Sequence, residues 1–179
     1  MPRMVAMAVS WVKLELELAN FRANSVSIPV LPASMEVTTL ADLGDTPHNR
    51  RRLYDLNKSC SADIPGRGDF FTYEEYVERR FETASFRPDG QIVLMNRTDM
   101  AGMCAVSYCP GKAWAFIEMT GALPGYRRRG LATLLKVHAL AAARRWGAQT
   151  VRTIHHPANR PIIGANRKLG FTDAAFDLS

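Results

Sequence analysis

The order of periodic segments predicts one mixed α/β domain, a mostly antiparallel sheet flanked by helices. Strand-like and helix-like runs follow one another as strand, two helices, three strands, helix, strand, helix. Alternation of that kind packs helices on the faces of a shared sheet. The 179 residues are 47% apolar and 22% charged, the balance of a globular chain long enough to bury a core unaided. No internal repeat or low-complexity tract interrupts the order.

Near the N-terminus, Val12, Leu14, Leu16 and Leu18 alternate with Lys13, Glu15 and Glu17, the period of a half-buried strand. Arg3 and the apolar stretch from Met4 to Val12 have the outline of a short signal peptide, but the alternation that follows argues against one. No apolar run approaches the roughly 20 residues that span a bilayer, so a cytoplasmic protein without a membrane segment is expected. Pro29 and Pro32 make Asn20 to Ser34 a linker. The chain therefore divides into an N-terminal strand and linker (1–34) and a main domain (35–179). The extra strand is expected to complete a sheet edge, either in cis or in a homodimer.

Met35 to Leu40 reads as the next strand. Thr46-Pro47 starts a helix, a capping residue followed by proline in the first turn, which runs to about Ser61. Asp63 to Gly68 is a loop. Thr72-Tyr73-Glu74-Glu75 is a capping box that opens a second helix reaching about Phe81. Gln91 to Asn96, Ala101 to Tyr108 and Ala113 to Thr120 are strands joined by tight turns. Leu131 to Trp146 is a helix, with His138 on its buried face beside Leu131, Leu134, Leu135 and Ala142, and Thr150 to Ile154 is a further strand. Cys60, Cys104 and Cys109 are odd in number and lack metal-ligand spacing, so neither a disulfide framework nor a metal site is expected.

Charge is distributed unevenly. Between Glu118 and Asp173 lie ten of the 23 basic residues and none of the 17 acidic ones, which puts this window at +10 and the remainder at −4. Within it, Tyr126-Arg127-Arg128-Arg129-Gly130-Leu131-Ala132 joins a strand to a helix start. Free backbone N–H groups and the helix dipole make such a turn an anion site, and Gly130 and Ala132 leave its backbone open to a diphosphate. Nucleic acid is the weaker partner: the charge surrounds a single helix start, Trp114, Phe116 and Trp146 fall at core-like spacings, and no helix-turn-helix is present.

The pattern Arg127-x-x-Gly130-x-Ala132 resembles the signature of the GNAT superfamily, the acyl-CoA-dependent N-acyltransferases. Asn159-Arg160-Pro161-Ile162-Ile163, followed by Asn166-Arg167-Lys168-Leu169-Gly170-Phe171, resembles the closing helix of that family and its Lys-Leu-Gly-Phe ending. The resemblance covers the last third of the chain and implies the GNAT fold. It also implies acetyl-CoA as co-substrate, with the diphosphate on the amides of Arg128, Arg129, Gly130, Leu131, Ala132 and Thr133 and the arginine side chains, Arg127 included, on its oxygens. The strand before the turn would part from its neighbour, leaving the pantetheine arm to pair with the backbone of Thr120, Gly121 and Ala122. Asn159 and Asn166 match asparagine positions near that arm.

Acyl transfer to an amine needs a base, oxyanion stabilisation and a proton for the departing thiolate. Glu118, a carboxylate on an otherwise apolar strand, is the expected base. On a regular strand it would share a face with Trp114, Phe116 and Thr120. Most relatives carry a tyrosine as acid where this chain has Asn166, so the thiolate would leave unassisted or take a proton from water, His155 or His156. Asp63 is a candidate for holding a cationic amine, as is His155 for contacting the acceptor and Arg67 for holding a carboxylate. The expected activity is acetyl transfer from acetyl-CoA to a small-molecule primary amine in a ternary complex. The alternative is a non-catalytic acyl-CoA-binding sensor or interaction module.

Overall fold

The computed structural model describes residues 9–177. Its strands are β1 (Val12–Glu17), β2 (Met35–Thr39), β3 (Gln91–Asn96), β4 (Asp99–Ser107), β5 (Trp114–Ala122), β6 (Thr150–His155) and β7 (Thr172–Asp173). The helices are α1 (Leu40–Leu43), α2 (Pro47–Ser61), α3 (Tyr73–Tyr76), α4 (Leu131–Arg145) and α5 (Arg160–Lys168). The strands form one sheet in the order β2-β3-β4-β5-β6-β1-β7. Every neighbouring pair is antiparallel except β5 and β6, which run parallel.

Each face of the sheet carries its own core. On one face Leu131, Leu134, Leu135 and Ala139 of α4 pack with Leu14, Leu16, Ile117 and Val151. On the other Leu53 and Tyr54 of α2, with Tyr76 and Phe81, cover Val93, Met103 and Met119. Capping fixes where the second layer begins. Thr46 accepts from the Asn49 amide ahead of Pro47, and Thr72 and Glu75 form the reciprocal capping box at α3, so these starts are set by local sequence. After one α-helical turn, α3 continues as a π-helical turn over Val77–Phe81, a form often found at functional positions.

β1 lies inside the sheet, antiparallel to β6 on one side and β7 on the other. It thus pairs in cis, with Leu14, Leu16 and Leu18 buried and Glu15 ion-paired to Arg152 of β6. Two helical details depart from expectation. His138 is exposed, whereas Lys136 is completely buried. α4 buries Lys136, Ala139, Leu140 and Ala143 besides the expected Leu131, Leu134, Leu135 and Ala142, and this wide inward stripe leaves position 138 on the outer side of the helix. Between β2 and α2 lies the short helix α1, capped by Thr39.

Candidate active site

The parallel pair β5–β6 comes apart in mid-strand. Pairing runs from Trp114↔Thr150 to Ile117↔Thr153 and stops, although the strands continue to Ala122 and His155. At the fork, the buried Thr153 hydroxyl donates to the Ile117 carbonyl at 3.1 Å. The other edge of β5 stays on β4 as far as Gly102↔Ala122. From Glu118 to Ala122, β5 therefore presents an edge toward β6 that has no strand partner among the described residues, able to hydrogen-bond an extended ligand.

Glu118 stands at the mouth of this fork on a β-bulge. Ala105 pairs with Met119 and Val106 with Ile117, so Glu118 is the extra residue. The bulge interrupts the alternation of β5. Ile117 belongs to the α4-side core and Met119 to the α2-side core, while Thr120 contacts Cys104 of the α4 side at 3.3 Å. The shared face expected for Glu118 and Thr120 is therefore replaced by opposite faces, since a bulge re-aims the residues it displaces. The Glu118 carboxylate is ion-paired to Arg80 of the π-helical turn. Beside the pair is a cavity of about 20 Å³ lined by Asn57, Tyr76, Gln91 and Ser107 among others, room for about one water. Gly121 is glycine because α2 crosses there: a Cβ would stand 2.9 Å from the Cys60 Cβ.

At the far end of β5 the chain turns into α4. Arg128 and Gly130 both have positive φ, 61° and 73°, and Gly130 is an N-cap without side-chain capping. The first backbone bond into this turn is Leu134 N to Gly130 O, so among the described residues the amides of Arg128 to Thr133 have no partner. No acidic residue occupies the first turn of α4. Arg128 and Arg129 make no ion pair among the described residues. Arg127 instead reaches back to Asp63 at 2.6 Å and to the Ala122 carbonyl at 3.0 Å.

Beneath the fork, on the α4 side, is a polar cluster. Lys136 Nζ is buried with no hydrogen-bond partner among the described residues, and burial brings its pKa down to about 8 against the opposing influence of Cys104. The His155 ring nitrogen Nε2 accepts from Asn166 Nδ2 at 2.8 Å, which leaves Asn166 Oδ1 buried and unpartnered. Burial, and next the charge of Lys136, push His155 down to about 3, which favours the neutral imidazole over the imidazolium that an acid would need. On the α2 side, the loop after α2 reaches the end of β6, with Gly66 against the His156 ring. Arg67 Nε is buried without a partner among the described residues, and its pKa is lowered by burial and by Arg80. Among the described residues no cluster of His, Cys, Asp or Glu could hold a metal ion.

The sequence model described as the Acetyltransferase (GNAT) family matches residues 51–171, well over half of the chain. The chain belongs to the GNAT acetyltransferase family. Over 79 residues it is 35% identical to streptothricin acetyltransferase of Streptomyces lavendulae, covering 44% of this chain and 42% of that protein. Its fold matches a GCN5-related N-acetyltransferase from Sphaerobacter thermophilus with a TM-score of 0.67 at 15% identity, over 92% of this chain and 48% of that one. A tandem GNAT protein from the clavulanic acid biosynthesis pathway gives 0.64 at 22% identity, over 92% and 50%. The chain thus spans about half the length of each of these relatives.

Within this GNAT fold, most of the expected residues fall into three groups. Thr120, Gly121 and Ala122 line the unpaired edge, and Arg128 to Thr133 form the open helix start. Asn166 and His155 meet in the buried cluster, whereas Asn159 is the N-cap position of α5 and makes no side-chain capping bond. Asp63 is 70% exposed at its side chain and engaged by Arg127, so holding an acceptor amine would require release of that pair. Arg80 and Lys136 went unnoticed in the sequence. For Lys136 a signal existed, since three of its four helical neighbours three and four residues away, Ala132, Ala139 and Leu140, are apolar.

Proposed function

We propose that this GNAT domain transfers an acetyl group from acetyl-CoA to a primary amine of a small molecule, directly and in a ternary complex. The observation that carries the reading is the continuous path from the free N-terminus of α4, along the unpaired edge of β5, to Glu118 at the fork. An anion seat, an open backbone edge and orphaned polar atoms beneath it fit a long diphosphate-bearing thioester. The amides of Arg128 to Thr133 would hold the diphosphate, and Thr120, Gly121 and Ala122 the pantetheine arm. The coenzyme supplies the activated acetyl group. Glu118 takes the proton of the acceptor amine, directly or through a water in the adjoining cavity, and Arg80 orients the carboxylate.

Streptothricin acetyltransferase, by its name, acetylates streptothricin, which is consistent with a small-molecule acceptor here. Charge at the acceptor side narrows the choice. Arg67, whose Nε has no partner among the described residues, lies near Arg80, and Asp63 is engaged by Arg127, so an acceptor carrying a carboxylate or phosphate besides its amine fits better than a polycation. The engagement of Glu118 by Arg80 also favours one second reading, an acyl-CoA-binding module that catalyses nothing.

The test is the unfolding temperature with acetyl-CoA, coenzyme A, ATP and an oligonucleotide at matched ionic strength, followed by thiol release over a panel of amines. At one hundred times Kd a ligand stabilises the native state by about 2.7 kcal/mol, which for a domain of this size raises Tm by roughly 5–10 °C. A coenzyme-specific shift with turnover of acidic amines is expected. A shift without thiol release from any amine would favour the binding module. No shift with the coenzymes would overturn both readings.

A further inference from the structure

We propose that Lys136 is the catalytic acid of this domain, donating a proton from its ammonium group to the departing coenzyme thiolate. The proposal rests on the acetyl-transfer reading of the same site. Its starting point is an anomaly of packing. A lysine side chain 0% exposed and without a hydrogen-bond partner among the described residues is costly to bury, and apolar residues fill the equivalent space along the rest of the inward face of α4.

Its surroundings locate what it faces. Cys104 on β4 and His155 on β6 are both near enough to feel its charge. Cys104 touches Thr120, on the unpaired stretch of β5, and His155 lies beyond the last residue of β6 that pairs with β5. Lys136 therefore lies on the α4 side of the sheet, within range of Cys104 and His155, the two residues that adjoin the open part of the fork. A second orphan lies in the same cluster, the Oδ1 atom of Asn166 on α5. No carboxylate faces the ammonium from any of these elements: β4 contributes a thiol, β5 a hydroxyl, β6 a neutral imidazole and α5 an amide.

The chemistry divides between the faces of the sheet. Glu118 and Met119 lie on the α2 side and Lys136 on the α4 side. The acceptor nitrogen approaches the thioester carbon from the side of Glu118 and forms the C–N bond. The C–S bond breaks, and its electron pair goes to sulfur on the side of Lys136. The acceptor ammonium gives one proton to Glu118 and, once the C–N bond has formed, a second to solvent, while one passes from the Lys136 ammonium to sulfur, giving the amide, the thiol and a neutral lysine side chain. Solvent receives the first proton and returns one to Lys136, so the cycle balances. A lysine with its pKa brought down to about 8 lies close to an ordinary thiol at about 8.5, the match that makes proton transfer efficient in either direction.

The experiment compares coenzyme A with desulfo-coenzyme A, on the wild type and on Lys136→Met. The ultraviolet absorbance of the thiolate, taken as the difference between the two complexes, gives the pH at which the bound thiol ionises. Beside an ammonium that pH falls by at least about one unit, a tenfold change in the ionisation constant, and in Lys136→Met the fall disappears. Lys136→Met should fold with an unchanged or higher Tm. Turnover of the wild type should decline as pH rises past 8 through loss of the Lys136 proton, and Lys136→Met should be slow and lack that limb. Partial restoration of turnover is expected in Lys136→Met/Asn166→Tyr, which supplies a different acid to the same cluster. Equal thiol ionisation in wild type and variant, with both coenzymes bound, would overturn the role of Lys136 alone. Failure of both coenzymes to bind would remove the acetyl-transfer reading and this proposal with it.

Discussion

Aspartate in place of Gly130 will eliminate the thermal stabilisation given by coenzyme A, and asparagine at the same position will keep most of it. The pair separates charge from backbone geometry. Gly130 has φ 73° and ψ 10°, a left-handed conformation that costs most L-residues about 1–2 kcal/mol and that asparagine and aspartate tolerate best. A Cβ at position 130 meets only Pro29, at 3.5 and 3.7 Å, which is ordinary contact, so both side chains fit. Both variants therefore lose a similar, small amount of stability without ligand. With ligand they diverge. The free amides of Arg128 to Thr133 and the dipole of α4 attract a carboxylate as readily as a phosphate. Aspartate fills the seat from within and repels the diphosphate. Each charge-assisted bond lost is worth roughly 1.5–3 kcal/mol, so affinity should fall at least about a hundredfold. An undiminished coenzyme shift in Gly130→Asp would place the phosphates elsewhere.

What could be read from the sequence was whatever is written locally. Thr46-Pro47 and the Thr72–Glu75 box place two helix starts because cap and capped amide lie within four residues. The turn at Arg127–Gly130 is legible for the same reason, and the acid-free window around it shows in composition alone. Long-range features were not legible. The bulge at Glu118 arises from the register of β5 on β4, and a one-residue offset between strands leaves no trace in either strand's own pattern. The Arg127–Asp63 and Arg80–Glu118 pairs join residues 64 and 38 positions apart. α4 illustrates a different limit. Assigning every charge to solvent is sound on average, and it fails at Lys136, where a site has a use for a buried ammonium. Such failures concentrate where function opposes stability.

The pairing of Glu118 with Arg80 makes glutamine at position 118 a demanding test. The substitution keeps the shape of the side chain and an oxygen that can accept from Arg80, so the fold and the bulge should survive with little change in Tm. Coenzyme affinity should remain within about twofold, because the anion seat and the unpaired edge do not involve the carboxylate. Turnover should fall by about 10²–10⁴, the usual contribution of a positioned general base. The deficit should be greatest at low pH, where nearly all acceptor amine is protonated and depends on the enzyme to lose its proton. It should narrow as pH rises and free amine accumulates. That slope distinguishes a base from a residue that merely positions the acceptor, whose loss would cost the same factor at every pH. It also decides what Arg80 does. If Glu118→Gln is slow and Arg80→Met raises KM with little change in kcat, the arginine serves the acceptor; if Arg80→Met lowers kcat as well, it serves the carboxylate. Turnover of Glu118→Gln equal to wild type across the pH range would leave Glu118 as one half of an ion pair and nothing more.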